Sequence, residues 1–72
     1  MVKWIVQIKI LNSGDVYLVE SGRSYFISTD RRSATTFPSK LSAQGFLTEL
    51  RERNPDAPLL KSARVSENTE LN

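Results

Sequence analysis

The sequence has 72 residues, which is the length of one small domain. It contains no cysteine and no histidine, and it therefore excludes disulfide bonds, thiolate chemistry and every catalytic or zinc site that needs an imidazole. Ten lysine and arginine residues against eight acidic residues give a net charge of +2, which permits contact with nucleic acid without demanding it.

The first element is a strand over residues 3–10, KWIVQIKI. Its residues alternate between two faces, one with Trp4, Val6, Ile8 and Ile10, the other with Lys3, Ile5, Gln7 and Lys9. Such alternation predicts a half-buried strand. Residues 12–15, NSGD, predict a turn. We expect a three-residue loop with Gly14 in the left-handed conformation, which pairs Ile10 with Val16 and Ile8 with Leu18.

Two more strands follow, VYLVE at 16–20 and SYFIST at 24–29, joined by a tight turn at Ser21 and Gly22. Opposed residues share a face, so this register puts four side chains on the Trp4 face: Val16, Leu18, Tyr25 and Ile27. The other face then carries Tyr17, Val19, Phe26 and Ser28. A two-residue loop in the first hairpin would instead put Tyr17 and Val19 on the Trp4 face.

Residues 29–38 show no periodicity and are expected to connect the sheet to a helix over 39–53. Ser39 is the predicted N-cap, and Asn54-Pro55 is the predicted stop. The apolar stripe of the helix consists of Ala43, Phe46, Leu47 and Leu50. We expect Phe37 to lie between helix and sheet, and Gly45 to allow close approach of the helix to the sheet.

The last element is an edge-like strand over 59–66, LLKSARVS. The order β-β-β-α-β predicts an α+β domain over 1–66, in which a small antiparallel sheet carries one helix on one face. Residues 67–72 are predicted to be a polar, disordered tail. The N-terminal apolar run is too short and too charged to span a membrane, and without a signal peptide the cytoplasm is the expected compartment.

One helix covers one face of such a sheet, which leaves the face of Ile5 predicted to be open. We interpret this face as a contact surface for a protein partner or for a second copy of the chain, since apolar and aromatic residues with a basic rim are typical of interfaces. Its residues are Lys3, Ile5, Gln7, Lys9, Tyr17, Val19 and Phe26. Arg31 and Arg32, in the connector, are further candidates for a contact with an acidic group.

The connector and helix also carry the pattern A-x-x-F-x-S-K-x-x-A-x-x-F-x-x-x-L, formed by Ala34, Phe37, Ser39, Lys40, Ala43, Phe46 and Leu50. Over residues 15–66 this pattern resembles small β-rich proteins of phages and other mobile elements. The resemblance implies a sheet with one helix and, for some such proteins, inhibition of a host protein. A second likeness is to the DNA-binding domains of the integrase-arm and plant AP2 type, which place basic and aromatic strand residues in the major groove.

The sequence thus favours a non-enzymatic binding or accessory protein that needs no cofactor and no metal. The alternative is a nucleic-acid-binding module, whose contacts would come from Lys3, Lys9, Tyr17, Arg23, Phe26, Arg31 and Arg32. An enzyme is not expected, because Asp30, Glu20 and the hydroxyl residues stand at no spacing that catalysis requires.

Overall fold

The computed structural model describes residues 2–12, 14–22 and 24–68. In this part of the chain four strands form one antiparallel sheet in the order β3-β2-β1-β4. The elements are β1 Lys3–Ile10, β2 Gly14–Ser21, β3 Ser24–Ser28, a 3-10 turn Arg31–Ser33, the helix α1 Lys40–Arg53, the short helix α2 Pro58–Lys61, and β4 Ala63–Asn68. The predicted small α+β fold is confirmed.

The register of β1 and β2 differs from our expectation by two residues. Ile10 lies opposite Gly14 rather than Val16, and Val16 lies opposite Ile8. The turn is tighter because Asn12, with φ 68°, and Gly14, with φ 83°, both take the left-handed conformation. A shift of two residues keeps every side chain on its face, so the predicted division of β2 between the two faces is correct.

The division of β2 and β3 between the two faces matches the prediction, but Ser21, which we had placed in the turn, belongs to β2. Gly22 has a φ of 60°, as a tight turn requires, and Ser21 lies opposite Ser24. Leu18 lies opposite Ile27, and Val19 lies opposite Phe26. We call the face of Leu18 and Ile27 the helix-side face, and the face of Ile5 and Phe26 the opposite face.

The helix begins and ends where the sequence predicted. Ser39 Oγ accepts a hydrogen bond from the Ser42 amide at 3.1 Å, and the Asn54 amide donates to the Leu50 carbonyl at 2.9 Å. The predicted stripe faces the sheet, with Phe46 half-buried and the other three residues buried. The main core joins α1, α2 and the sheet through Val6, Ile8, Val16, Leu18, Leu47, Leu50, Leu60 and Ala63.

The expectation for Gly45 was wrong. This residue is exposed, and a Cβ added to it would meet no heavy atom within 4 Å. Its lack of a side chain therefore serves no close approach between the helix and the sheet.

The last strand also differs from the prediction, at both ends. Pro58 opens the helical turn α2, whose Leu60 is fully buried, so β4 begins only at Ala63. It then continues through Glu67 and Asn68, which lie opposite Trp4 and Lys3. These two residues belong to the sheet and not to the predicted tail, whose residues 69–72 lie outside the described part. β4 is an edge strand, as predicted.

The sheet is split at one end. β1 and β2 are paired from the turn to Gln7 and Tyr17, where their pairing ends. Beyond this point the connector takes the place of β2 beside β1. The amide and carbonyl of Trp4 exchange two hydrogen bonds with those of Phe37, at 2.9 and 2.8 Å.

The connector is bonded to β2 as well. The Thr35 amide donates to the Leu18 carbonyl at 3.2 Å, and the Glu20 amide donates to Thr35 Oγ1 at 2.7 Å. Residues 35–37 therefore form a wedge between β1 and β2. The chain lies on the opposite face before the wedge and on the helix-side face after it.

Phe37 lies where we expected it, between helix and sheet. It is buried, and its ring meets the Phe46 ring edge to face, with 5.0 Å between the ring centroids. The wedge thus fixes the start of α1 against the sheet.

Candidate functional site

The centre of the opposite face is covered, which contradicts our expectation that it is open. Ile5 is 0% exposed and Tyr17 is 8% exposed, and both pack against Ala34 of the connector. The connector crosses the face before it enters the split, and the sequence carries no periodicity that predicts this path. Ile5 and Tyr17 are therefore not part of the accessible surface.

Arg31 fastens the connector across the covered face. Its Nε donates to Asn68 Oδ1 at 3.1 Å, and its Nη2 donates to the Glu67 carbonyl oxygen at 3.3 Å. Because Glu67 and Asn68 end β4, these bonds tie the connector to the far edge strand of the sheet. The half-buried Arg31 thus has a structural role that the sequence did not reveal.

Arg32 is placed differently from its neighbour. Its side chain is 77% exposed and forms an ion pair of 3.5 Å with Asp30, which is 50% exposed. Asp30 Oδ1 also accepts a hydrogen bond from the Arg32 amide at 2.9 Å. The negative charge of Asp30 offsets the positive charge of Arg32. Because Arg31 is bonded to β4 instead, the two arginines do not form one basic site.

The remaining predicted contact residues are distributed around the covered centre. Lys3 and Lys9 are exposed near opposite ends of β1, about 20 Å apart along the strand. Gln7 is half-buried and its Nε2 donates to Asp15 Oδ2 at 3.2 Å. Val19 is half-buried beside Phe26. The structure therefore does not bring the nine predicted residues into one patch.

Two neighbouring residues of β3 carry exposed apolar side chains, one on each face of the sheet. Phe26 is 54% exposed on the opposite face, and the adjacent Ile27 is 40% exposed on the helix-side face. We had expected Ile27 to be covered by the helix, because it lies on the helix-side face. It is exposed because α1 packs over β4 and β1, and a helix about 10 Å wide covers only about two strands spaced about 4.8 Å apart.

The outer edge of β3 is open for hydrogen bonding. Ser21 and Ser24 flank a two-residue turn, a position at which opposed residues exchange hydrogen bonds. By alternation, the backbone groups of Phe26 point toward β2 and those of Tyr25 and Ile27 point outward. Among the described residues, no strand pairs with this edge.

The two edges of the sheet differ in charge. β3 has the sequence SYFIS and carries no charged residue, whereas β4 carries Arg64 and Glu67. Charged residues on an edge strand oppose pairing with another strand, so β4 is protected and β3 is not. Arg64 also adds a positive charge to the opposite face, next to Gln7, which sequence reasoning missed.

The described residues form a cleft beside α1 but no cluster of acidic side chains that could hold a metal ion. Within residues 2–12, 14–22 and 24–68, no group of three or more acidic side chains is placed to hold a metal ion. A cleft of about 370 Å³ lies between α1 and β4, and Arg51, one of the two arginines in its lining, donates to the carbonyl oxygens of Leu60 and Ala63. In the same described ranges, no helix is long and apolar enough to cross a membrane.

Arg23, which belongs to the nucleic-acid hypothesis, lies outside the described residues. No protein-family model, curated protein or solved structure matches the chain. The candidate site is therefore defined by geometry alone, and it consists of the open edge of β3 with Phe26 and Ile27.

Proposed function

We propose that this protein is a non-enzymatic binding protein that captures an extended segment of a protein along the outer edge of β3. The observation that carries the proposal is the combination, on one uncharged edge strand, of outward-pointing backbone groups and two adjacent exposed apolar side chains. Strand addition uses these two elements, because backbone hydrogen bonds supply affinity and side chains on alternate faces supply specificity.

The energetic scale of such binding is modest. Full burial of a large apolar side chain contributes about 1.5–3 kcal/mol, and Phe26 and Ile27 are already about half-buried, so each adds about 1 kcal/mol. The half-buried Val19 lies beside Phe26 and extends the apolar surface. These gains act against an association cost of several kcal/mol. We therefore expect weak, reversible binding that depends on the hydrogen bonds of Tyr25 and Ile27.

Inhibition or modulation of a host protein, the role that the resemblance to phage proteins suggests, is one form that such binding takes. An accessory protein that adds to an edge strand of its target needs no catalytic group of its own. We place this activity in the cytoplasm, the compartment that the cysteine-free sequence favours.

The test is the selection of peptides from a random library on the immobilised protein, followed by NMR mapping of the selected peptides. We expect extended peptides that shift the amide signals of β3, with binding that changes little with salt. Ile27→Lys should abolish the shifts, because a charge on the edge opposes strand pairing. Leu41→Lys is the matched control, since Leu41 is exposed on α1, away from β3. Peptides that bind equally to both variants would overturn the proposal.

A second candidate function is nucleic-acid binding, and the distribution of charge on the opposite face favours it. Lys3, Lys9 and Arg64 are exposed there, with Phe26 as an aromatic side chain that a base can stack on. Burial of Tyr17 removes the second predicted stacking residue. A labelled single-stranded oligonucleotide should then bind with an affinity that falls steeply with salt and is lost in Lys9→Glu and Arg64→Glu. Binding that is insensitive to salt would exclude this function.

A further inference from the structure

We propose that the segment held on the β3 edge is β3 of a second copy of this chain. The two strands run antiparallel around a two-fold axis at Phe26, and they join the two four-stranded sheets into one continuous sheet. This inference rests on the proposed function, because it names the partner of the same edge.

The strand is self-complementary around Phe26. A two-fold interface requires that if one residue meets a second, the second also meets the first. In the register centred on Phe26, Tyr25 meets Ile27 of the other copy, and Ser24 meets Ser28 of the other copy. The sequence SYFIS therefore opposes small polar residues at both ends and apolar residues in the middle.

This register also matches the direction of the backbone groups. Tyr25 and Ile27 point their N–H and C=O groups outward, so each Tyr25–Ile27 pair across the axis exchanges two hydrogen bonds. Phe26 then forms the pair without hydrogen bonds, in which Cα atoms approach to about 4.5 Å and side chains are closest. The two Phe26 rings are thereby placed against each other on the opposite face.

Charge favours the copy as the occupant. Residues 24–28 hold no charged side chain, so self-pairing opposes no like charges within the strand. The net charge of +2 on each chain repels the other copy only weakly at physiological salt. A foreign strand would gain nothing here from charge recognition, since the edge offers none.

The size of the surface sets the expected strength. A five-residue strand is about 17 Å long, and the exposed parts of Phe26 and Ile27 are its main apolar contribution. The buried area is then at or below the low end of about 1,200 Å² for specific interfaces. We expect a dimer that forms with rising concentration, not an obligate one.

Phe26 provides the sharpest test, because only in this register does it lie opposite Phe26 of the other copy. Sedimentation equilibrium of the full chain from about 10 μM to about 1 mM should show a monomer–dimer equilibrium. Phe26→Lys and Phe26→Glu should each weaken dimerisation by more than about tenfold, since two like charges then meet at the axis. An equimolar mixture of the two variants should recover a mixed dimer.

Leu41→Lys is the control and should dimerise like the unchanged protein. Phe26 is exposed, so its variants should stay folded, which circular dichroism checks. Amide hydrogen exchange gives an independent readout: in the dimer the amides of Tyr25 and Ile27 should become protected. A wild type that stays monomeric, variants that dimerise unchanged, or a mixture that fails to dimerise would each overturn the inference.

The two proposals fail separately. A monomeric protein that still binds extended peptides along β3 retains the proposed function and overturns only the self-pairing. A protein that neither dimerises nor binds such peptides overturns both.

Discussion

Gly45 lies on the exposed side of α1, where a Cβ would meet no atom within 4 Å. Glycine in a helix interior costs about 1 kcal/mol relative to alanine, and no packing constraint here offsets that cost. Gly45→Ala should therefore raise the free energy of unfolding by about 0.5–1 kcal/mol in urea denaturation. Gly22→Ala is the control and should destabilise the protein, because Gly22 has a φ of 60°. A less stable Gly45→Ala variant would show that the helix makes a contact absent from this structure.

Arg51 is the second residue whose role is visible only in three dimensions. Its Nε and Nη2 donate to the carbonyl oxygens of Leu60 and Ala63, both at 2.9 Å, and so hold α2 and the start of β4 against α1. A lysine keeps the charge but loses the planar fork.

Arg51→Lys should therefore lower the free energy of unfolding by about 1–2 kcal/mol. Arg32→Lys is the matched control. Its ion pair with Asp30, at 3.5 Å, is exposed and contributes little. Equal effects of the two substitutions would contradict the assigned role of Arg51.

At the scale of elements, periodicity was informative and its absence was not. Alternation gave the faces of β1, β2 and β3, and the spacing from Ala43 to Leu50 gave the buried side of α1. The connector has no period, so neither the split of the sheet nor the covered centre of the opposite face was predictable. The register was wrong because it depends on the left-handed Asn12, which the composition of the turn does not specify.

The wedge makes Phe37 more important than Phe46, although the helix pattern points to Phe46. Phe37 is 7% exposed and lies between β1, β2 and α1, while Phe46 is only half-buried. Phe37→Ala should cost about 3–5 kcal/mol, enough to unfold a domain of this size, and Phe46→Ala should cost less. Urea denaturation of both variants measures the order. If the Phe37→Ala variant is more stable than the Phe46→Ala variant, the wedge does not anchor the helix.

At the scale of the whole molecule, the candidate site follows from how the layers overlap. The sequence predicted two apolar sheet faces and one helix, but it did not show that the connector covers the centre of one face while the helix leaves Ile27 of β3 exposed on the other. The exposure of Phe26 was predicted correctly. Its cause is the position of β3 at the edge of the sheet, which exposes Ile27 as well. The order of the strands, which places β3 at an edge, decides this, and strand order depends on long-range pairing that local patterns do not encode.

A final prediction concerns the long-range contact between the connector and β4. Arg31 joins the connector to the last strand, 37 residues away in the chain, through Asn68 Oδ1. Arg31→Ala and Asn68→Ala should each destabilise the protein, and a double-mutant cycle should give a coupling energy of about 1 kcal/mol, because both changes remove the same hydrogen bond. Arg32→Ala serves as the control and should change the stability by less than about 0.5 kcal/mol, since its ion pair is exposed. Additive effects of Arg31→Ala and Asn68→Ala would mean that the hydrogen bond between Arg31 and Asn68 does not hold the connector in place. The packing of the connector alone would then keep Ile5 and Tyr17 buried.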